Sequence, residues 1–114
     1  MSILLTHGYY ISDDPKEQKI MKPYPPLGLL YISGYLLERN IPNSVYDSTF
    51  YSQPEQLDYI VGMQPDVIAI YTNLMTKVEV IRLIRVLKTD YRYGFPKIIL
   101  GGPDVTYNLS LIHI

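Results

Sequence analysis

Thr72-Asn73-Leu74 closes one apolar run of the chain, and Gly101-Gly102-Pro103 closes the next. The stretch between them has room for one helix and one strand. Both motifs are therefore expected at the carboxyl edge of one parallel sheet, where open α/β sheets bind ligands. A small hydroxyl residue followed by a double glycine suits a flat, bulky ligand whose tail slides between strand ends. Glycine lacks a Cβ, so the backbone can come close to such a ligand. Plainer readings stand beside this one. Thr72 and Asn73 are also what a polar strand end leading into a helix looks like, and Gly101-Gly102 also makes a tight turn.

Other residues with chemical potential are isolated. His7 follows the first strand, and a neutral imidazole can ligate cobalt or another borderline metal. No His, Cys or carboxylate stands near it at ligand spacing, so a solvated loop histidine is the favoured reading. Asp47 ends the second strand and reads as a loop cap before a ligand contact. Asp13-Asp14 lies too far into its loop to form the acidic magnesium site of a receiver domain, and strand three ends in Tyr71-Thr72 where a phosphoacceptor aspartate would stand. A glycine-rich phosphate loop between strand one and helix one is absent, and the turn there is proline-rich.

The elements that must position these residues alternate as β-loop-α-β-α-β-α-β, the order of a parallel sheet covered on both faces. Strand one is about Ile3–Thr6. A long polar loop runs from His7 to Pro26 and ends in Pro23-Tyr24-Pro25-Pro26. Helix one follows, since proline is tolerated only in a first turn. It runs to about Arg39, with Asn40 as a left-handed cap and Pro42 beyond. Its sequence from Leu27 to Ile32 is apolar nearly all round, which predicts burial on more than one side and a second covering layer. Strand two is about Ser44–Tyr46. Helix two opens on the capping box Ser52-Gln53-Pro54-Glu55, buries Leu57, Ile60 and Val61, and ends at Pro65. Strand three, Val67–Tyr71, is a β-branched run suited to a central parallel strand. Helix three carries a second capping box, Thr76-Lys77-Val78-Glu79, and an inward stripe of Val80, Leu83, Ile84 and Leu87. Gly94-Phe95-Pro96 turns the chain into strand four, Lys97–Leu100.

Composition narrows the classes further. The 114 residues are 47% apolar, enough for one domain with its own core. A net charge of −1 leaves no electrostatic footprint for nucleic acid. No cysteine is present, which excludes disulfides, thiolate metal sites and cysteine nucleophiles in this stretch. No basic n-region with an apolar h-region opens the chain, and no apolar run is long enough to span a membrane, so a cytoplasmic location is expected. Twelve tyrosines against two phenylalanines and no tryptophan is unusual. Compositional drift is favoured over a tyrosine-lined site.

Three segments together carry a resemblance: Pro25-Pro26-Leu27-Gly28-Leu29-Leu30-Tyr31-Ile32-Ser33-Gly34-Tyr35-Leu36, Pro65-Asp66-Val67-Ile68-Ala69-Ile70, and Ile98-Ile99-Leu100-Gly101-Gly102-Pro103. In order and spacing they resemble the N-terminal cobalamin-binding domain of radical S-adenosylmethionine enzymes, a family of methyltransferases and ring-forming cyclases. The resemblance covers Ile3 to about Asn108. It implies a Rossmann-like (flavodoxin-like) α/β parallel sheet with helices on both faces, incomplete on its C-terminal side. The wider cobalamin fold carries Asp-x-His-x-x-Gly, Ser-x-Leu and Gly-Gly. Thr72-x-Leu74 and Gly101-Gly102 look like the last two. Gly28 matches the final glycine of the first, but prolines stand at the Asp and His positions. The resemblance thus implies cobalamin held base-off, without a protein histidine on cobalt. It implies that Thr72 hydrogen-bonds the nucleotide tail and that Gly101 and Gly102 line its slot. Tyr71, Asn73, Leu74 and Pro103 would border the slot. The turn from Pro25 through Pro26 to Gly28 would face the lower side of the corrin, and Asp47 would meet the ring's amides. It further implies a downstream radical S-adenosylmethionine domain, absent here, whose Cys-x-x-x-Cys-x-x-Cys motif holds a 4Fe-4S cluster. The rival readings are the same domain without cobalamin, acting as scaffold or substrate lid, and an unrelated flavodoxin-like binding domain.

Leu109-Ser110-Leu111-Ile112-His113-Ile114 fits nothing before it. These six residues read as the in-frame translation of a sequencing-library adapter, so the native sequence is expected to stop near Asn108. The partial domain is then residues 1–108, with 109–114 a non-native tail. The pattern calls for a fifth strand. Without it strand four becomes an exposed apolar edge, and the isolated chain is expected to be poorly soluble or partly molten.

Overall fold

A computed structural model of the chain describes residues 2–11, 27–72 and 76–102. The elements are β1 (Ile3–His7), α1 (Leu27–Glu38), β2 (Ser44–Tyr46), α2 (Gln53–Met63), β3 (Val67–Tyr71), α3 (Lys77–Thr89) and β4 (Lys97–Gly101), with short 3-10 turns at Ser48–Phe50 and Tyr91–Tyr93. The four strands form one parallel sheet in the order β2-β1-β3-β4. The chain steps from β1 sideways to β2, then returns past β1 to β3 and on to β4. With right-handed crossovers, that reversal puts α1 on one face and α2 with α3 on the other. This is the flavodoxin-like, doubly wound arrangement, as the sequence pattern predicts.

Side-chain alternation along the strands builds two unequal layers. Leu4, Ile68 and Ile70 pack against Ile60 of α2 and Val80, Leu83, Ile84 and Leu87 of α3 to form the main core. The stripe expected of α3 is buried throughout. In α2 the inward set differs from expectation: Ile60 is buried and Leu57 packs on the core, but Val61 is exposed and Gln56 is buried in its place. Among the described residues the opposite face is covered by α1 alone, through Leu29. It is bare among the described residues over β3 and β4, where Ile99 is half exposed.

Caps explain the helix ends. The Asn40 amide bonds the Leu37 carbonyl (3.0 Å) and the Ile41 amide bonds the Leu36 carbonyl (2.9 Å), a Schellman closure with Asn40 at φ 59°. The capping box of α2 forms as read, with Ser52 and Glu55 exchanging hydrogen bonds. The box expected at Thr76 does not form. Thr76 has helical backbone angles (φ −99°, ψ −2°), whereas a capping side chain needs an extended residue to reach the helix amides. Glu79 pairs with Arg82 instead, at 2.9 Å.

Candidate functional site

The carboxyl ends of the strands carry a row of cross-strand neighbours. His7 pairs with Tyr71, and Tyr71 with Gly101. Thr6 pairs with Tyr46, which brings Asp47 beside His7. Alternation sends His7, Tyr71 and Gly101 to the α1 side of the sheet and Thr6 and Tyr46 to the α2 side. The row spans the topological switch point between β1 and β3, where sheets of this kind take ligands.

His7 is not the solvated loop residue that the sequence favours. It ends β1 and is buried. Its Nδ1 accepts the Tyr9 amide at 3.1 Å, so Nε2 carries the proton and donates to Asp47 Oδ1 at 2.8 Å. Both ring nitrogens are engaged, which leaves no lone pair for a metal or for proton abstraction. Asp47 also caps the 3-10 turn, accepting the Thr49 amide (3.1 Å) and hydroxyl (2.6 Å) on the same Oδ1. Burial alone would raise its carboxyl pKa. The Thr49 and His7 hydrogen bonds outweigh burial and hold it below the ordinary carboxylate value.

A polar network ties this row to α2. The Gln56 amide donates to Thr6 Oγ1 (2.7 Å) and to the His7 carbonyl (2.9 Å), and its oxygen accepts the Tyr10 hydroxyl. Thr6 in turn donates to the Tyr46 carbonyl at 2.8 Å. Ser48 donates to the Tyr9 carbonyl at 2.9 Å. Sequence reasoning missed Gln56, although it sits one helical turn before Ile60, in phase with the inward stripe. A polar residue in that phase was the available signal.

Beside the row lies an apolar groove of about 430 Å³. Leu29, Ile32 and Leu36 of α1 form one wall, and Ala69, Tyr71 and Ile99 of the sheet form the floor. Gly28, Gly101 and Gly102 line one end. Thr72 and Gly101 are joined by an N–H···O bond of 2.8 Å, so the two motifs do meet at one sheet edge. Their glycines have different duties. Gly102 has φ 113°, and a Cβ there would lie 2.2 Å from the Thr72 carbonyl oxygen. The protein's own backbone demands that glycine. Gly101 is not so constrained, since an added Cβ meets nothing within 4 Å. At Gly28 an added Cβ meets only the Tyr71 ring, at an ordinary 3.7 Å.

Tyr71 lines the groove, while Thr72 lies outside its wall and is fully buried. Among the described residues Thr72 Oγ1 has no hydrogen-bond partner. Of the remaining residues singled out in the sequence, Pro26, Asn73, Leu74 and Pro103 lie outside the described residues. Tyr46, Tyr51 and Tyr59 cluster together (ring centroids 5.5 and 4.7 Å apart), and none of the three lines the groove. Among the described residues no three His, Cys, Asp or Glu side chains form a metal cluster, and no helix is long and apolar enough to cross a membrane. No family model, curated protein or solved structure matches the chain.

Proposed function

We propose that this chain is a cobalamin-binding module, the N-terminal part of a radical S-adenosylmethionine enzyme of methyltransferase or cyclase type. The observation that carries the reading is the apolar groove ending at Gly28, Gly101 and Gly102. At Gly28 and Gly101 the protein's own packing does not require glycine, so a ligand pressed against the backbone accounts for the missing Cβ atoms. The groove suits a flat heterocyclic tail, and Thr72, buried behind its wall, would hold the Gly101 edge in place through its backbone bond. Tyr71, Gly101 and Gly28 would flank the tail, and the outer oxygen of Asp47 would face the amides of the ring above the edge. Bound cobalamin would carry a methyl group or assist radical chemistry. This chain's part is to bind and orient it. The iron–sulfur cluster and S-adenosylmethionine would belong to the downstream domain that the family resemblance implies.

A second reading is favoured by one observation. The Tyr71 ring bridges from the first turn of α1 to the end of β4, within 3.2 Å of a Cβ built on Gly102. A cofactor-free scaffold would use that ring as a plug and seat a further helix in the groove. An absorption titration of the chain with hydroxocobalamin separates the two. A saturable shift toward the base-off spectrum supports the cofactor module. An unchanged spectrum at excess ligand favours the scaffold.

A further inference from the structure

Helix α1 is apolar on two sides, and only one of them meets the sheet. Leu29, Ile32 and Leu36 face the groove. The outward side carries Leu27, Leu30, Tyr31, Gly34, Tyr35 and Glu38, which line a shallow depression. Tyr31 is 79% exposed and Leu27 58%. An outward stripe of large apolar residues on a surface helix marks an interaction surface.

The stripe is self-complementary. Its residues pair off around the level of the peptide joining Ile32 and Ser33. With two copies of α1 antiparallel about a two-fold axis at that level, Tyr31 faces the partner's Gly34, while Leu30 and Tyr35, on opposite flanks of the stripe, each lie beside the partner's copy of the same residue. Glu38 then faces the partner's Leu27. Gly34 is the notch in this ridge, since an added Cβ there meets nothing within 4 Å, and Tyr31 is the knob beside it. Tyr35 is held in place by the Arg39 guanidinium, 3.4 Å above its ring.

Charge points to the same partner. Glu38 stands at the carboxyl end of its own helix, where the helix dipole disfavours an anion, and the adjoining Arg39 turns its guanidinium back onto Tyr35. The antiparallel arrangement carries Glu38 to the positive amino end of the partner helix. A parallel pair would instead set Tyr31 against Tyr31, leave the two notches facing each other and bring the two Glu38 carboxylates together.

We infer that the outward face of α1 is an isologous interface that pairs two copies of this chain antiparallel, with Tyr31 of each seated in the Gly34 notch of the other. The face is opposite the groove, so pairing does not depend on cobalamin binding. A single helix pair is small against the roughly 1,200–2,000 Å² of a stable interface, so the dimer forms reversibly at micromolar concentration.

The test is sedimentation velocity of the full chain from roughly 5 to 200 μM. The expected result is a concentration-dependent rise from one chain to two. Gly34→Glu fills the notch at a position with free space, so it leaves the monomer folded. It should hold the chain at one copy over the whole range with no fall in melting temperature. The double variant Leu27→Cys/Glu38→Cys should cross-link on mild oxidation, while Leu27→Cys and Glu38→Cys alone should not, since an antiparallel pair sets like positions about 16 Å apart along the helix. A wild-type chain that stays monomeric overturns the inference. So does association, as dimers or larger species, that survives Gly34→Glu, or cross-linking by either single-cysteine variant, which marks a parallel pair.

Discussion

His7 Nε2 lies 2.8 Å from Asp47 Oδ1, a bond between the carboxyl ends of two adjacent parallel strands. The two residues are forty positions apart in sequence. The tautomer that makes this bond is fixed by the Tyr9 amide on the other ring nitrogen. One imidazole thus ties the end of β1, the start of the following loop and the cap of the 3-10 turn after β2.

His7→Phe removes both imidazole bonds, while Asp47 keeps its two bonds from Thr49. The variant should lose about 1–2 kcal/mol of stability, the net worth of the two hydrogen bonds. Urea unfolding measures it as a lower midpoint with an unchanged slope.

Asp47 gives the fold an acid limb. Its carboxyl pKa is lowered in the folded chain, so the folded state prefers the ionised form. The stability this contributes is complete above the ordinary value of 3.8 and is lost as pH falls through the lower folded value. Asp47→Asn should therefore melt closer to wild type as pH falls from about 4 toward 2.5 than it does at pH 6. Thermal melts across that range read the difference. Asp66 and Asp90, whose carboxyls are also lowered, leave a residual slope in both proteins.

Gln56→Leu keeps the volume and deletes three hydrogen bonds in the buried network. Thr6 Oγ1 and the His7 carbonyl each lose a buried donor and the Tyr10 hydroxyl loses its Gln56 acceptor, so the expected loss is about 2–4 kcal/mol. Chemical denaturation should place this variant below Leu57→Ala, although leucine is the more apolar residue.

The two glycines should separate cleanly. Gly102→Ala drives a Cβ into the Thr72 carbonyl at a positive φ and should destabilise by about 3 kcal/mol or more. Gly101→Ala meets open space and should stay within about 1 kcal/mol of wild type. Equal melting temperatures for the two variants would contradict these separate duties.

Thr72→Val should raise stability by about 1 kcal/mol, since it removes a buried hydroxyl that has no partner. The same change should leave cobalamin binding within about twofold of wild type, since Thr72 lies outside the groove wall and meets Gly101 through its backbone amide. A loss of binding of about tenfold would make Thr72 a ligand contact and contradict this placement.

Much of this architecture was legible in the sequence because it is written locally. The β-branched run Val67–Tyr71, the stripe of α3, the Ser52–Glu55 box and Asn40 each state a period, a cap or a turn within a few residues. The Thr76 box failed because its backbone entered the helix early, a matter of the preceding turn. The site was legible only in part. Thr72 and Gly101 could be placed at one edge from spacing alone. The His7–Asp47 bond, the burial of Gln56 and the turn of Tyr71 into the groove depend on which strands are neighbours and in what register, and no local pattern carries that. The all-round apolarity of α1 was read as burial on two sides. In the folded chain one side packs on the sheet, and the other stays exposed.

The central claim is that the groove beside Gly101 holds the nucleotide tail of cobalamin, and calorimetric titration with cobalamin and with cobinamide, which lacks that tail, tests it most directly. The account predicts one saturable site for cobalamin, binding of cobinamide at least about tenfold weaker, and loss of that advantage in Gly101→Leu. Equal binding of the two compounds, or no heat from either, would contradict it.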